Sequence, residues 1–175
     1  MNGRPASSPA QGPAPSRYTS TQIAAHWLVV VLIPVQVWTS GGIGRSHADH
    51  MAGLEPDSYD LFLHELHTFT GLTILGLMVL RLLLRVVSGS PRASAEEGGR
   101  FLRLLALANH FALYATLIVL PATGFIARYF DFGTYGPAHV VLTRLLLALV
   151  VLHVTAAVWH MLWRRDTVLQ RILPG

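Results

Sequence analysis

The stretch from Pro137 to Trp163, PAHVVLTRLLLALVVLHVTAAVWHMLW, constrains this chain more than any other feature, because side chains that belong in hydrocarbon are interrupted there by His139, His153 and His160. Polar groups inside a membrane span are costly and call for a partner. His139 and His153 stand 14 residues apart. At about 100° and 1.5 Å per residue, they lie within roughly 40° of each other and about 21 Å apart along a helix axis. One helix face therefore presents nitrogen at two depths.

Three further apolar runs precede this one. Spans are expected at about 22–41, 61–87, 102–127 and 138–163, each long enough to cross the hydrocarbon layer. With 52% hydrophobic and 13% charged residues and a mean hydropathy of +0.47, the chain reads as an integral membrane protein. Short links make neighbouring helices antiparallel, so the expected fold is all-α, a membrane four-helix up-down bundle in one domain, about 21–165. The 13 basic residues are all arginine and flank the apolar runs, which argues for membrane topology and against a nucleic-acid partner. Cysteine is absent, which excludes disulfides, thiolate-held zinc or iron–sulfur clusters and covalent c-type haem.

Met1 to Ser20 is rich in Pro, Ala, Ser and Gly without a hydrophobic period; it is expected to be a disordered tail and not a cleavable signal. The TSTQ string at Thr19 suits a capping box opening the first helix, and GGIG after Ser40 is expected to end it. Pro56-Asp57-Ser58 opens the second helix, SGSP stops it, and SAEE signals the third. Pro34 should kink the first helix, and Pro121 with Gly124 the third. The string FDFGTYGP reads as a turn-rich link into the fourth span, and 166–175 as a C-terminal tail. Arg4, Arg17, Arg81, Arg85, Arg92, Arg100, Arg103, Arg164, Arg165 and Arg171 fall on one side against Arg45 and Arg128 on the other, so both termini are expected in the cytoplasm.

On that topology His26, His110, His153 and His160 lie toward the inner side, and His67 and His139 toward the outer side. Imidazoles from facing helices at two levels suit the axial ligation of two b-type haems in a bundle core. Depth alone leaves alternatives open: His160 matches His26 about as well as His153 does, and His64 shares a face with His67. Zinc is a rival for His47, His50, His64 and Glu65, but no HExxH spacing is present.

The strings TSTQIAAHWLVV, HELHTFTGL with RLLLR, NHFALY with LPATGF, and HVVLTRLLLALVVLH with WRRDTVLQRILP resemble the bacterial cytochrome b561 family over nearly the whole chain after the tail. The resemblance implies a four-helix di-haem cytochrome of the bacterial inner membrane. It implies that His26 and His153 hold the inner haem and His67 and His139 the outer one. Gly71, four residues after His67, also matches the family, and a glycine there lets a flat macrocycle approach the helix. Members of the family carry electrons between a periplasmic donor or acceptor and the ubiquinone pool, and one type oxidises superoxide. The link from Tyr129 to Pro137 is shorter here than in that type, and the acid-rich segment from Asp49 to Glu65 would repel a superoxide anion unless arginines intervene.

Arg81, 14 residues after His67, should point into the bundle at the inner level, with a haem propionate as an apt partner and headgroup snorkelling as the alternative; Arg85 reads as the snorkeller. Arg144 falls roughly 140° to 180° from the ligand face, toward lipid or a second copy of the chain, so a homodimer is a candidate assembly. His160, Trp163 and His110 group at the inner interface, where they could seat a quinone ring or form an ordinary aromatic belt. Thr68, Thr70, Thr143 and Thr155 are candidates to bond the free imidazole nitrogens. The reading is thus an oxidoreductase moving single electrons. Its rivals are a haem-carrying membrane anchor for a separate dehydrogenase or hydrogenase, and a cofactor-free membrane protein whose histidines relay protons.

Overall fold

The computed structural model describes residues 17–89, 99–164 and 172–173. Four long helices carry the chain: α1 (Ser20–Met51), α2 (Ser58–Ser88), α3 (Arg100–Tyr129) and α4 (Phe132–Trp159). The last of these continues as a single π-helical turn, His160–Arg164. There is no strand among the described residues.

Helix boundaries follow local chemistry. Thr19 caps α1 in a full capping box: its side chain accepts from the Gln22 backbone N–H, and the Gln22 side chain accepts from the Thr19 backbone. Asp57 caps α2 through the Tyr59 N–H at 2.8 Å. Gly89, at φ 72°, ends α2 in a conformation open to glycine at little cost. Gly99 caps α3 without a side-chain bond. The SAEE string expected to cap α3 lies outside the described residues.

Two links expected from sequence are helical instead. GGIG does not end α1, which runs on to Met51, and the reason is packing. A Cβ built on Gly42 would stand 2.6 Å from Leu63 Cβ, so this position takes glycine to let α2 come close. The link between α3 and α4 shrinks to Phe130 and Asp131, because the Asp131 carboxylate accepts from the Thr134 N–H at 3.1 Å and starts α4 at Phe132. Pro137 is then taken up inside the helix, as Pro34 and Pro121 are in α1 and α3.

The helices pack chiefly as two hairpins, α1 on α2 and α3 on α4, joined along α2 and α3. All four meet at mid-height in one apolar cluster of Val29, Ile74, Met78, Leu117 and Leu146. The remaining surface of each helix is apolar and exposed, with Val31, Phe69, Leu83, Val141 and Val151 facing outward, as a bundle solvated by lipid requires. All four helices are long and apolar enough to span a membrane. At the end of the bundle that carries the α1 to α2 and α3 to α4 links, the linker end, one ion pair lies within the first hairpin and one joins the two hairpins. Arg45 grips Asp60 through Nε at 2.9 and 3.1 Å, and Arg128 bonds Glu65 and Thr68 across from α3 to α2.

Candidate cofactor site

At the linker end His67 of α2 and His139 of α4 face one another, ring centres 6.2 Å apart and planes at 68°. Each ring is oriented through Nδ1. Thr39 of α1 is fully buried, and its hydroxyl has one proton, which goes to the Val35 carbonyl at 2.8 Å. It therefore meets His67 Nδ1 at 3.0 Å as the acceptor, and Nδ1 is the protonated nitrogen. His139 Nδ1 lies 3.0 Å from the Leu120 carbonyl, which can only accept, so the same tautomer holds there. Both rings keep an unprotonated Nε2, the form a metal requires.

The neighbourhood of this pair fixes it further. Gly124 lies against the His139 ring, where a Cβ would stand 2.9 Å from Cε1 and 3.1 Å from Nδ1. Gln36 donates to the His67 carbonyl at 2.8 Å and to Thr70 Oγ1 at 2.5 Å, clamping the helix turn that bears His67. Gly71 faces this Gln36 amide, 3.6 Å from where its Cβ would be. The threonines expected to serve the rings have other partners: Thr68 bonds the His64 carbonyl and Arg128, Thr70 the Leu66 carbonyl and Gln36, and Thr143 the His139 carbonyl, while Thr155 is exposed. Thr39, Thr123 and the Leu120 carbonyl do what those four were expected to do.

At the termini end His26 of α1, Arg81 of α2, His110 of α3 and His153 of α4 lie within electrostatic reach of one another. All four helices thus contribute to one level, as the up-down order dictates. His110 stands edge-on to His153, ring centres 5.1 Å apart at 90°. Its Nδ1 is 2.7 Å from the Ala106 carbonyl and so is protonated, leaving Nε2 free. Arg81 is half-buried with Nη1 fully buried and without a hydrogen-bond partner, and Asn109 Oδ1 is in the same condition.

The guanidinium of Arg85, an exposed residue, lies 6.0 Å from the centre of the Tyr114 ring, and that of Arg81 lies 5.8 Å from it. Trp163 stacks on Trp159, ring centres 4.9 Å apart, with 70% of Trp163 exposed. His160 opens the π turn, and Arg144 is exposed as its angular position implied. His47 stacks flat on Phe132 at 4.3 Å and lies 6.1 Å from His64. Among the described residues, no group of three or more histidines and carboxylates gathers to hold a metal by itself.

A protein-held site needs three or four ligands from the chain, whereas opposed histidines suit an iron whose other positions a porphyrin fills. Residues 17–175 match the family model described as prokaryotic cytochrome b561. The chain belongs to the prokaryotic cytochrome b561 family. It is similar to the probable superoxide oxidase CybB of Yersinia pestis, at 26% identity over 90% of this chain and 96% of the relative. It is also similar to a cytochrome b562 of Cereibacter sphaeroides, at 25% identity over 89% of this chain and 94% of the relative. Family membership with four apolar helices makes the protein a multi-pass bacterial membrane haem cytochrome.

The residues of this cytochrome b561 chain fit the haem b that its family implies. The His67 and His139 rings, on facing helices with centres 6.2 Å apart, would be the residues to hold its iron at the linker end. The tautomers and the orphaned Arg81 donor fit as well. When bound, the haem supplies one-electron iron redox chemistry. The protein's own work is orientation of the imidazoles through Thr39 and Leu120, and exclusion of water by the apolar cluster at mid-height.

Proposed function

We propose that the chain binds two b haems through histidine pairs, His67 with His139 at the linker end and His26 with His153 at the termini end, and relays electrons between them. The observation that carries this reading is the His67 and His139 pair, with ring centres 6.2 Å apart across the bundle and each Nε2 left unprotonated. The 14 residues from His139 to His153 set the two haems about 21 Å apart along α4. The apolar cluster around Leu146, halfway between them, separates the two sites.

The arginine bias assigns the termini end to the cytoplasm and the linker end to the periplasm of the bacterial inner membrane. Electrons then enter at the periplasmic haem and leave to ubiquinone at the cytoplasmic one. Superoxide is the donor class we favour, supported by the name of the Yersinia relative and by the state of the outer acids. Asp60 and Glu65 are each paired, with Arg45 and Arg128, which removes part of the repulsion an anion would meet. Two superoxide anions each give up one electron to become O2; ubiquinone takes both, with two protons, to become ubiquinol. His110, His160 and the exposed stack of Trp159 and Trp163 are the residues proposed to seat the quinone ring.

Ligand variants test the pairing. His67→Ala and His139→Ala should each remove the same haem and leave identical residual spectra, and His26→Ala and His153→Ala should remove the other. Residual spectra that differ within a pair would break the assignment. For the reaction, the purified protein should be reduced by superoxide and reoxidised by added ubiquinone. A haem that stays oxidised under superoxide would reject that donor.

A further inference from the structure

Arg81 and Arg85, one turn apart on α2, both lie over the Tyr114 ring of α3, 5.8 and 6.0 Å from its centre. The ring's quadrupole attracts both cations, but it does not meet their hydrogen-bonding need or cancel their mutual repulsion. Arg81 Nη1 is buried with nothing to donate to. A guanidinium nitrogen out of water and unpaired is among the costliest groups a protein can hold, and more so within a membrane span. The chain's carboxylates do not answer it among the described residues: Asp49, Glu55, Asp57, Asp60, Glu65 and Asp131 all lie at the linker end. The surroundings of Arg81 at its own level are His26, His110 and His153, which bring no anion.

Two cations over one tyrosine ring, with a buried donor that no described residue accepts from, form a receptor for an anionic oxygen. Arg81 lies within electrostatic reach of His26 and His153, so the carboxylates of a group held between those histidines would come within reach of its donor. We propose that Arg81 and Arg85, seated on Tyr114, form a carboxylate clamp for the propionates of the haem at the termini end. This rests on the di-haem reading and extends it: Tyr114 becomes a positioning residue, and Arg85 binds cofactor rather than headgroups. Arg81 is the stronger member, since its donor is buried and Arg85 is exposed. A lipid phosphate offers the same anionic oxygen, so the experiment must separate the two sources.

The test uses the full-length protein in detergent with Arg81→Gln, Arg85→Gln, the double variant and the charge-conserving Arg81→Lys. Haem release to excess apomyoglobin should show one of two phases accelerated about tenfold to a hundredfold in Arg81→Gln, the range expected for loss of one charge-assisted hydrogen bond. The effect should be smaller in Arg85→Gln and partly restored in Arg81→Lys. Redox titration should show the midpoint potential of that same haem falling, because a nearby positive charge is gone, with the other haem unmoved. Two haems with unchanged release and potentials in the double variant would overturn the clamp while leaving the di-haem reading intact. Loss of co-purifying phospholipid in the variants, with haem unaffected, would assign the clamp to lipid and overturn it too. A wild-type protein lacking haem would reject both readings at once.

Discussion

Gly124→Ala probes the linker-end site with the least chemistry and the most geometry. The added methyl would stand 2.9 Å from His139 Cε1 and 3.1 Å from Nδ1. Carbon atoms rest at about 3.5 to 4.0 Å, so the ring must retreat by roughly 0.6 to 1 Å, or α3 must draw back by as much. The ring has little freedom to do so, because its Nδ1 is bonded at 3.0 Å to the carbonyl of Leu120, one turn from Gly124 on the same helix. Metal–ligand distances hold to about 0.2 Å, so a displacement several times larger should break or weaken one axial bond. The expected result is a protein with about one haem per chain, or with one haem turned high-spin, by absorption and electron paramagnetic resonance spectra. Gly76→Ala is the control, since no atom lies within 4 Å of its added methyl, and both haems should persist. Two low-spin haems with unaltered potentials in Gly124→Ala would refute the placement of His139 as a ligand.

Thr39→Val removes the acceptor of the His67 Nδ1 proton; the imidazole becomes a weaker donor to iron, and the potential of the linker-end haem should rise in a redox titration while the other stays put. Gly42→Ala places a methyl 2.6 Å from Leu63 Cβ and should destabilise the α1 and α2 contact by about 1 to 3 kcal/mol in thermal unfolding, whereas Gly44→Ala, with nothing within 4 Å, should not. The backbone N–H of Thr134, followed by its hydroxyl, holds the Asp131 carboxyl below the usual carboxylate range. The cap therefore contributes above the unfolded pKa and is lost as pH falls through the lowered folded value. Amide exchange in the first turn of α4 should differ between wild type and Asp131→Ala near neutral pH and converge in acid.

Helix starts at Thr19 and Asp57, the stop at Gly89 and the four-helix order were legible in the sequence because each rests on neighbouring residues. The end of α1 and the partners of the rings depend on a second helix, whereas the start of α4 turns on a single local cap. GGIG looks like a stop until Leu63 arrives to fill the groove that Gly42 opens. FDFGTYGP looks like a loop because its glycines and proline outweigh one aspartate, yet Asp131 caps α4 from its first residue. Thr68, Thr70, Thr143 and Thr155 are close to histidines along the chain, which is not where a ring's partner lies. A ring that reaches across a bundle takes its partner from the helix it faces, and His67 found Thr39 on α1. The signal was present: Gln36 and Thr39, spaced three apart in an apolar run, share one face and are costly inside a membrane unless used. Depth along the helices narrows the linker-end set to His64 or His67 with His139, and the family resemblance favours His67, while the carbonyl and glycine that seat His139 belong to α3 and have no signature of their own near position 139.

The most direct measurement is pyridine haemochrome analysis of the detergent-purified chain, with polypeptide quantified by amino-acid analysis. The account predicts two b-type haems per polypeptide and a Soret band of bis-imidazole character. A count of zero would contradict the haem reading of the histidine pairs, and a count of one would contradict the second pair.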